Sequence, residues 1–321
     1  MSLVTMPDVA AASARIAPFV ERTPLLSLPS SLSGERLWVK AENRQPTRSF
    51  KVRGAVNAVG RLAEHGVGHV IAQSSGNHAQ AIAYAAARHG LRATVVLPDT
   101  APELKVVAAR ELGAEVVIVP PALREVTCLA LADRLGATVV RSDDFDIVAG
   151  HGSTGSEITE DLPGVRTILV PVCNGGLLAG IAVAAKAADP TIRVIGVEPE
   201  LAADGVASFR SGRRTAWPVE RTYRTRADGL RAPVLGALAW EHIRRYVDDM
   251  VTVTEDGIEA AADLLWRELG EHAEPSGAVA TAACLAHRDA LPAGPVVAVL
   301  SGGNAALRSG ASKERSLVGE P

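Results

Sequence analysis

The sequence predicts an α/β protein built on two doubly wound, mostly parallel sheets. Short β-branched runs alternate with longer Ala-rich stretches of helical period, and Gly or Pro falls between them. The runs are almost continuously apolar, as expected of strands covered on both faces. In chain order the strands are expected at 36–42, 69–73, 92–98, 114–120, 137–142, 166–172, 193–199, 249–254 and 295–301. Most are separated by one helix, such as 77–89, 102–112, 122–135 and 176–187, long enough for the right-handed crossover between parallel strands. Nine strands are many for one sheet in 321 residues, hence the expectation of two sheets side by side. Segment 200–232 reads as a long irregular stretch, a kind usually functional in compact domains, and 312–321 as a frayed tail.

Composition narrows the function. The chain has 33 basic and 36 acidic residues, a net charge of -3, which argues against a nucleic-acid binder held by phosphate contacts. Aromatics are 3%, too few to build stacking platforms for single strands, and 47% hydrophobic against 21% charged residues excludes disorder. No apolar run approaches the roughly 18 residues of a membrane span, and the first residues lack the pattern of a secretory leader, so the chain reads as soluble and cytoplasmic. Cys128, Cys173 and Cys284 are odd in number and widely spaced, which indicates neither a disulfide framework nor a zinc site.

Open α/β sheets bind ligands beyond the carboxyl ends of their strands. After 69–73 comes Ser74-Ser75-Gly76-Asn77-His78, opening a helix with amides and hydroxyls suited to an anion, although Ser and Asn are also ordinary caps. After 166–172 comes Cys173-Asn174-Gly175-Gly176-Leu177, a turn of little bulk that lets a phosphate approach backbone amides. After 295–301 comes Ser301-Gly302-Gly303-Asn304, whose hydroxyl can address a ring nitrogen or cap a turn. Any one exit is weak, but three at strand ends point to one ligand. A fourth element, Ser49-Phe50-Lys51-Val52-Arg53-Gly54-Ala55, puts a lysine in the first turn of a helix, where positive helix-end dipoles and arginines ease its deprotonation. A neutral amine forms an imine with an aldehyde. Amine, phosphate-binding helix start, asparagine and ring-nitrogen partner together describe pyridoxal phosphate.

These segments resemble the fold-type II pyridoxal-phosphate enzymes, with their tryptophan synthase β-like architecture, and within them the threonine dehydratase and serine racemase family. Ala149-Gly150, Ala227-Asp228-Gly229-Leu230, Val253-Thr254-Glu255-Asp256 and Glu274-Pro275-Ser276-Gly277-Ala278 extend the likeness in order from residue 21 to about 304. Only 17 residues follow Asn304, so no C-terminal regulatory domain is expected. The resemblance implies that Lys51 bonds the cofactor, Phe50 flanks its ring, Asn77 bonds the ring hydroxyl, residues 173–177 hold the phosphate and Ser301 faces the pyridine nitrogen. A hydroxyl there does not force that nitrogen to stay protonated, which suits β-elimination better than transamination. The implied reaction is dehydration and deamination of a small hydroxy-amino acid, threonine or serine, to a 2-oxo acid and ammonia. Lys51 would be the general base, and Ser74, Ser75, Asn77 and His78 would cradle the substrate. Ser75 also matches the acid or base of the racemase branch, so racemisation and β-replacement are alternatives.

The resemblance further implies a homodimer with a large domain, 1–66 and 149–321, and a smaller inserted domain, 67–148. The phosphate loop departs from the usual four glycines at Cys173 and Asn174, and Asn174 is expected to take the left-handed conformation. His151 stands where glutamine is common, and Arg44, Arg48, Arg226 and Arg231 lie near the motifs. They are either surface residues or, with His151, the lining of a pocket for an acidic hydroxy-amino acid. Glu198, Asp204 and the carbonyl of Ala202 match a divalent-cation site of some relatives, for magnesium or calcium, unless Glu198 pairs with an arginine and Asp204 caps a helix. Gly175-Gly176-Leu177-Leu178-Ala179-Gly180 with Glu198 gives an NAD-dependent oxidoreductase as a rival, but the glycine register is wrong at Asn174 and Ala179. A cofactor-binding module without catalysis is the remaining alternative.

Overall fold

The computed structural model describes residues 2–29, 36–74 and 76–305. Ser75 and the tail 312–321 lie outside the described residues. Strands β1 (Leu25–Ser27), β2 (Leu37–Ala41), β7 (Thr167–Pro171), β8 (Arg193–Pro199), β9 (Asp249–Val253) and β10 (Val296–Leu300) form a six-stranded sheet in the order β1-β2-β10-β7-β8-β9. Its members run parallel except β1, which pairs antiparallel with β2. Strands β3 (His69–Gln73), β4 (Arg92–Pro98), β5 (Glu115–Val119) and β6 (Thr138–Val139) form a parallel four-stranded sheet in the order β5-β4-β3-β6.

Alternation of side chains along each strand explains why the central strands carry no polar face. Val296, Ala298 and Leu300 of β10 enter one apolar cluster with the helices Glu255–Leu269 and Pro275–Ala286. Val297 and Val299, on the opposite face, join Leu178 and Ile181 of the helix Gly176–Ala188 and Ile243 of the helix Ala237–Tyr246. Each such side chain, wholly buried, contributes about 1.5–3 kcal/mol. A third cluster underlies the small sheet, where Val70 and Val95 pack with Ile82 of the helix Asn77–His89 and with Val52, Val56 and Val59 of the helix Lys51–Glu64. The lysine-bearing helix therefore shares its core with the four-stranded sheet.

Three expectations are corrected. The short edge strand β1 is not among the expected strands, because two half-buried residues and an exposed serine present no alternation long enough to read. The run 137–142 forms only a two-residue strand before the chain turns toward the cleft. Segment 200–232 is not irregular throughout: it holds the helix Asp204–Ser211, a turn of helix at Val219–Thr222 and a 3-10 turn at Asp228–Leu230. Its eight-residue helix is obscured in the sequence by Gly205 and two serines, both of which bond backbone carbonyls.

Candidate active site

The carboxyl ends of β3, β6, β7 and β10 converge on a cleft of about 280 Å³ between the two sheets. Phe50, Lys51, Ser74, Asn77, His78, Cys173, Asn174, Leu177 and Ser301 all line it. Lys51 begins the helix Lys51–Glu64, with its ammonium 4.7 Å from the Phe50 ring centre and its backbone amide donating to the Ser49 hydroxyl oxygen at 3.4 Å. It has no ion pair among the described residues, and desolvation in the cleft holds its pKa below the ordinary lysine value despite Cys173 and Asp143 nearby. Two residues on, Arg53 is wholly buried and forks between Glu42 and Glu157, each at 2.7 Å, which fixes the helix start.

The loop after β7 turns on two left-handed residues. Gly175 has φ 91, and a Cβ there would come within 2.9 Å of Ile243 Cδ1. The other is Cys173, with φ 56; Asn174, expected to be left-handed, is not among the positive-φ residues and instead donates its side-chain amide to Ser142 Oγ at 2.7 Å. The unpaired amides opening the helix Gly176–Ala188 lie directly behind this turn. Ser301, buried at the end of β10, donates to the Ser276 carbonyl at 3.4 Å.

On the opposite wall, Gly76 has φ 151, and any Cβ would strike Lys105 Cδ at 2.2 Å. Lys105 reaches from the helix Glu103–Glu111 across the cleft to Asp228 at 2.7 Å and Glu274 at 3.0 Å. Glu274 also accepts from the Asn77 amide at 2.5 Å, and Asn304 donates to Asn77 Oδ1 at 3.1 Å, so the Asn77 side chain is oriented from both ends. His78 Nε2 lies 3.2 Å from the Val140 carbonyl, while burial, with the Lys51 charge adding, depresses its pKa to about 3. It is a neutral imidazole.

His151 does not line the cleft. It is completely buried, its ring meets Phe50 edge-on at 4.7 Å, and neither ring nitrogen has a hydrogen-bond partner. Burial, then the charges of Lys51 and neighbours, push its pKa well below the usual value. It supports Phe50 from behind and offers nothing to a substrate's acidic group. Arg44 is paired with Glu271, and Arg226 with Glu259, both away from the cleft; Arg231 lines it. Glu198 and Asp204 are buried together, Glu198 accepting the Val206 amide at 2.8 Å and Asp204 Oδ2 lacking a partner. Desolvation, and for Glu198 the neighbouring carboxylate, raises both pKa values. No group of three His, Cys, Asp or Glu able to hold a metal occurs among the described residues, and Glu198 with Asp204 is only a pair. No described helix is long and apolar enough to cross a membrane.

The site contains residues the sequence singled out only as motif text. Asp228 and Glu274 stand in quoted segments without a role, and Lys105, one lysine on an amphipathic helix, gave no signal at all.

The pyridoxal-phosphate dependent enzyme family matches residues 16–302. The chain belongs to this family. Among curated proteins it is 39% identical over 308 residues to the L-threonine ammonia-lyase of Thermotoga maritima, covering 94% of this chain and 76% of that one. It is 38% identical over 315 residues to a catabolic L-threonine dehydratase of Staphylococcus aureus, covering 95% and 90%. Maize serine racemase superposes with a TM-score of 0.90 at 34% identity, covering 95% of each chain. As a pyridoxal-phosphate enzyme the chain has room and partners for its cofactor: an unpaired amine in a cleft, free helix-end amides and a buried hydroxyl.

Proposed function

We propose that this family member eliminates the β-hydroxyl of a small hydroxy-amino acid, L-threonine or L-serine, releasing a 2-oxo acid and ammonia. The observation that carries the reading is the Lys51 amine, desolvated and without an ion pair among the described residues, in a cleft that Ser301 also lines. Cys173–Leu177 would hold the cofactor phosphate, Asn77 its ring hydroxyl, Phe50 its face and Ser301 its ring nitrogen. When bound, pyridoxal phosphate supplies an electron sink conjugated to the substrate α-carbon. Lys51 Nζ, kept below the ordinary lysine pKa, takes the Cα proton as general base. The Ser74 hydroxyl and the first amides of the helix Asn77–His89 receive the substrate carboxylate, with neutral His78 adding no competing charge. Ser75 belongs to the same proposed set as acid or base on the opposite face.

The finer assignments rest on the same reading. The division into 1–66 with 149–321 and 67–148, closing over the cleft to exclude water, is proposed with it, as are a homodimer and a magnesium or calcium ion at Glu198, Ala202 and Asp204. Sedimentation at micromolar concentration reads the dimer. For the activity, L-threonine should give 2-oxobutanoate and L-serine pyruvate, with ammonia in equal amount. Lys51→Ala should abolish both and remove the borohydride-reducible cofactor absorbance; equal rates for the two proteins would refute the assignment.

A further inference from the structure

We infer that Ser142 is a positioning residue for the cofactor phosphate: by holding the Asn174 side chain it shapes, before the cofactor arrives, the loop whose amides take that phosphate. This deepens the proposed cofactor placement at Cys173–Leu177 and rests on it. Ser142 follows β6 of the four-stranded sheet and Asn174 follows β7 of the six-stranded sheet, and both line the cleft. The Asn174 side-chain amide donates to Ser142 Oγ at 2.7 Å, and the Gly236 amide donates to the Asn174 carbonyl at 2.9 Å. Asp143 packs against the same glycine so closely that a Cβ on Gly236 would come within 2.0 Å of Asp143 Oδ2. A Cβ on Gly176 would likewise come within 2.9 Å of the Ser142 carbonyl oxygen. Residues 142–143, 174–176 and 236 thus close a ring of contacts around the turn, and Asn174 is held at both its side chain and its carbonyl.

The turn needs such support. Cys173 carries a Cβ at φ 56, a conformation that a non-glycine residue leaves unless its surroundings hold it there. Inside the turn, the Gly175 amide bonds the Val172 carbonyl at 2.9 Å. The Ala179 amide, bonded to the Gly175 carbonyl at 2.9 Å, is the first with a partner inside the helix Gly176–Ala188. The amides of Gly176, Leu177 and Leu178 precede it and have no intrahelical acceptor, which suits them to an anion. Donors fixed in advance lose little freedom when a ligand binds, so the support from Ser142 should appear as phosphate affinity. The effect is confined to that end of the cofactor. Asn77 is oriented by Glu274 and Asn304, and Ser301 bonds the Ser276 carbonyl, so the Ser142–Asn174 bond is separate from the groups proposed for the ring.

The test titrates the full chain, freed of cofactor, with pyridoxal phosphate and with pyridoxal, which lacks the phosphate, and reads visible absorbance. It compares wild type with Ser142→Ala, Asn174→Ala, the double variant and Ser142→Thr. The inference expects each single alanine variant to raise the Kd for pyridoxal phosphate about fivefold or more while the Kd for pyridoxal stays within about twofold of wild type. The double variant should bind no more weakly than the weaker single, because both substitutions remove one bond. Ser142→Thr keeps the hydroxyl and should restore the preference for the phosphorylated ligand. If the variants weaken both ligands alike, lose affinity additively, or lower the melting temperature with the preference unchanged, the bond is only a structural brace; the inference then fails while the wild-type preference leaves the cofactor placement intact. If wild type binds pyridoxal as tightly as pyridoxal phosphate, residues 173–177 do not hold the phosphate, and placement and inference fall together. Should Asn174→Ala fail to fold, Ser142→Ala against Ser142→Thr decides by the same ratio.

Discussion

Lys105 reaches from the helix Glu103–Glu111 to Asp228 and Glu274, and removing its charge should destabilise the protein measurably. Its ammonium is 1% exposed and lies 3.0 Å from Glu274, itself 2% exposed, and 2.7 Å from Asp228, which is 17% exposed. Burial lowers its pKa, yet Glu274 and Asp228 outweigh burial and hold it above the ordinary lysine value. Lys105→Met keeps most of the side-chain volume but leaves Glu274 buried without its cation. Breaking a buried ion pair from one side costs about 3–5 kcal/mol, and the partial exposure of Asp228 places this case near about 3. Urea unfolding at pH 7 reads the loss as a shifted midpoint at constant slope. KM should rise as well, because Glu274 also orients Asn77.

A second variant isolates the cause. Adding Glu274→Gln to Lys105→Met removes the stranded charge while keeping an acceptor for Asn77, so part of the stability should return. The raised pKa also fixes the pH window. The wild-type contribution is fully present below the unfolded lysine value near about 10.4 and is lost as pH rises through the higher folded value, so the alkaline limb should be steeper in wild type than in Lys105→Met. A single variant within about 0.5 kcal/mol of wild type, or a double variant no better than the single, would refute the reasoning.

Cys173→Gly should leave stability within about 1 kcal/mol, since relief of a left-handed non-glycine residue offsets the added freedom of the unfolded chain, whereas Cys173→Val should lose more than about 1 kcal/mol in the same urea titration. His78 titrates lower folded than unfolded, so it removes stability as pH falls from about 6.5 toward about 3, and His78→Asn should flatten the loss in midpoint between pH 7 and 5. Magnesium or calcium added after chelation should raise the melting temperature of wild type but not of Glu198→Gln; no rise in wild type would mean the buried pair is held by protein contacts alone.

Much of the cleft was legible because its chemistry sits at strand ends, where short sequence runs map directly onto one edge of a sheet. Lys51, Asn77, Cys173 and Ser301 are each a fixed few residues from a strand or helix boundary that hydrophobic patterning locates. The same logic failed where contacts are made across long separations. Lys105 acts through partners 123 residues away and beyond, and Arg124 meets Tyr223 across 99, so neither could be read from local pattern. His151 misled for a related reason. Its position near the motifs implied a pocket residue, but Gly54 and Gly150 let two helices approach so closely that a Cβ at Gly54 would come within 2.6 Å of the His151 ring. The imidazole is thereby sealed behind Phe50, and the family's glutamine position has become packing. The left-handed turn moved for a similar cause: the Asn174 side chain is drawn to Ser142, which leaves Cys173 and Gly175 to carry the reversal of the chain. The cleft thus joins residues that strand and helix ends set locally to a buried ion-pair cluster, Lys105 with Asp228 and Glu274, that only long-range packing delivers.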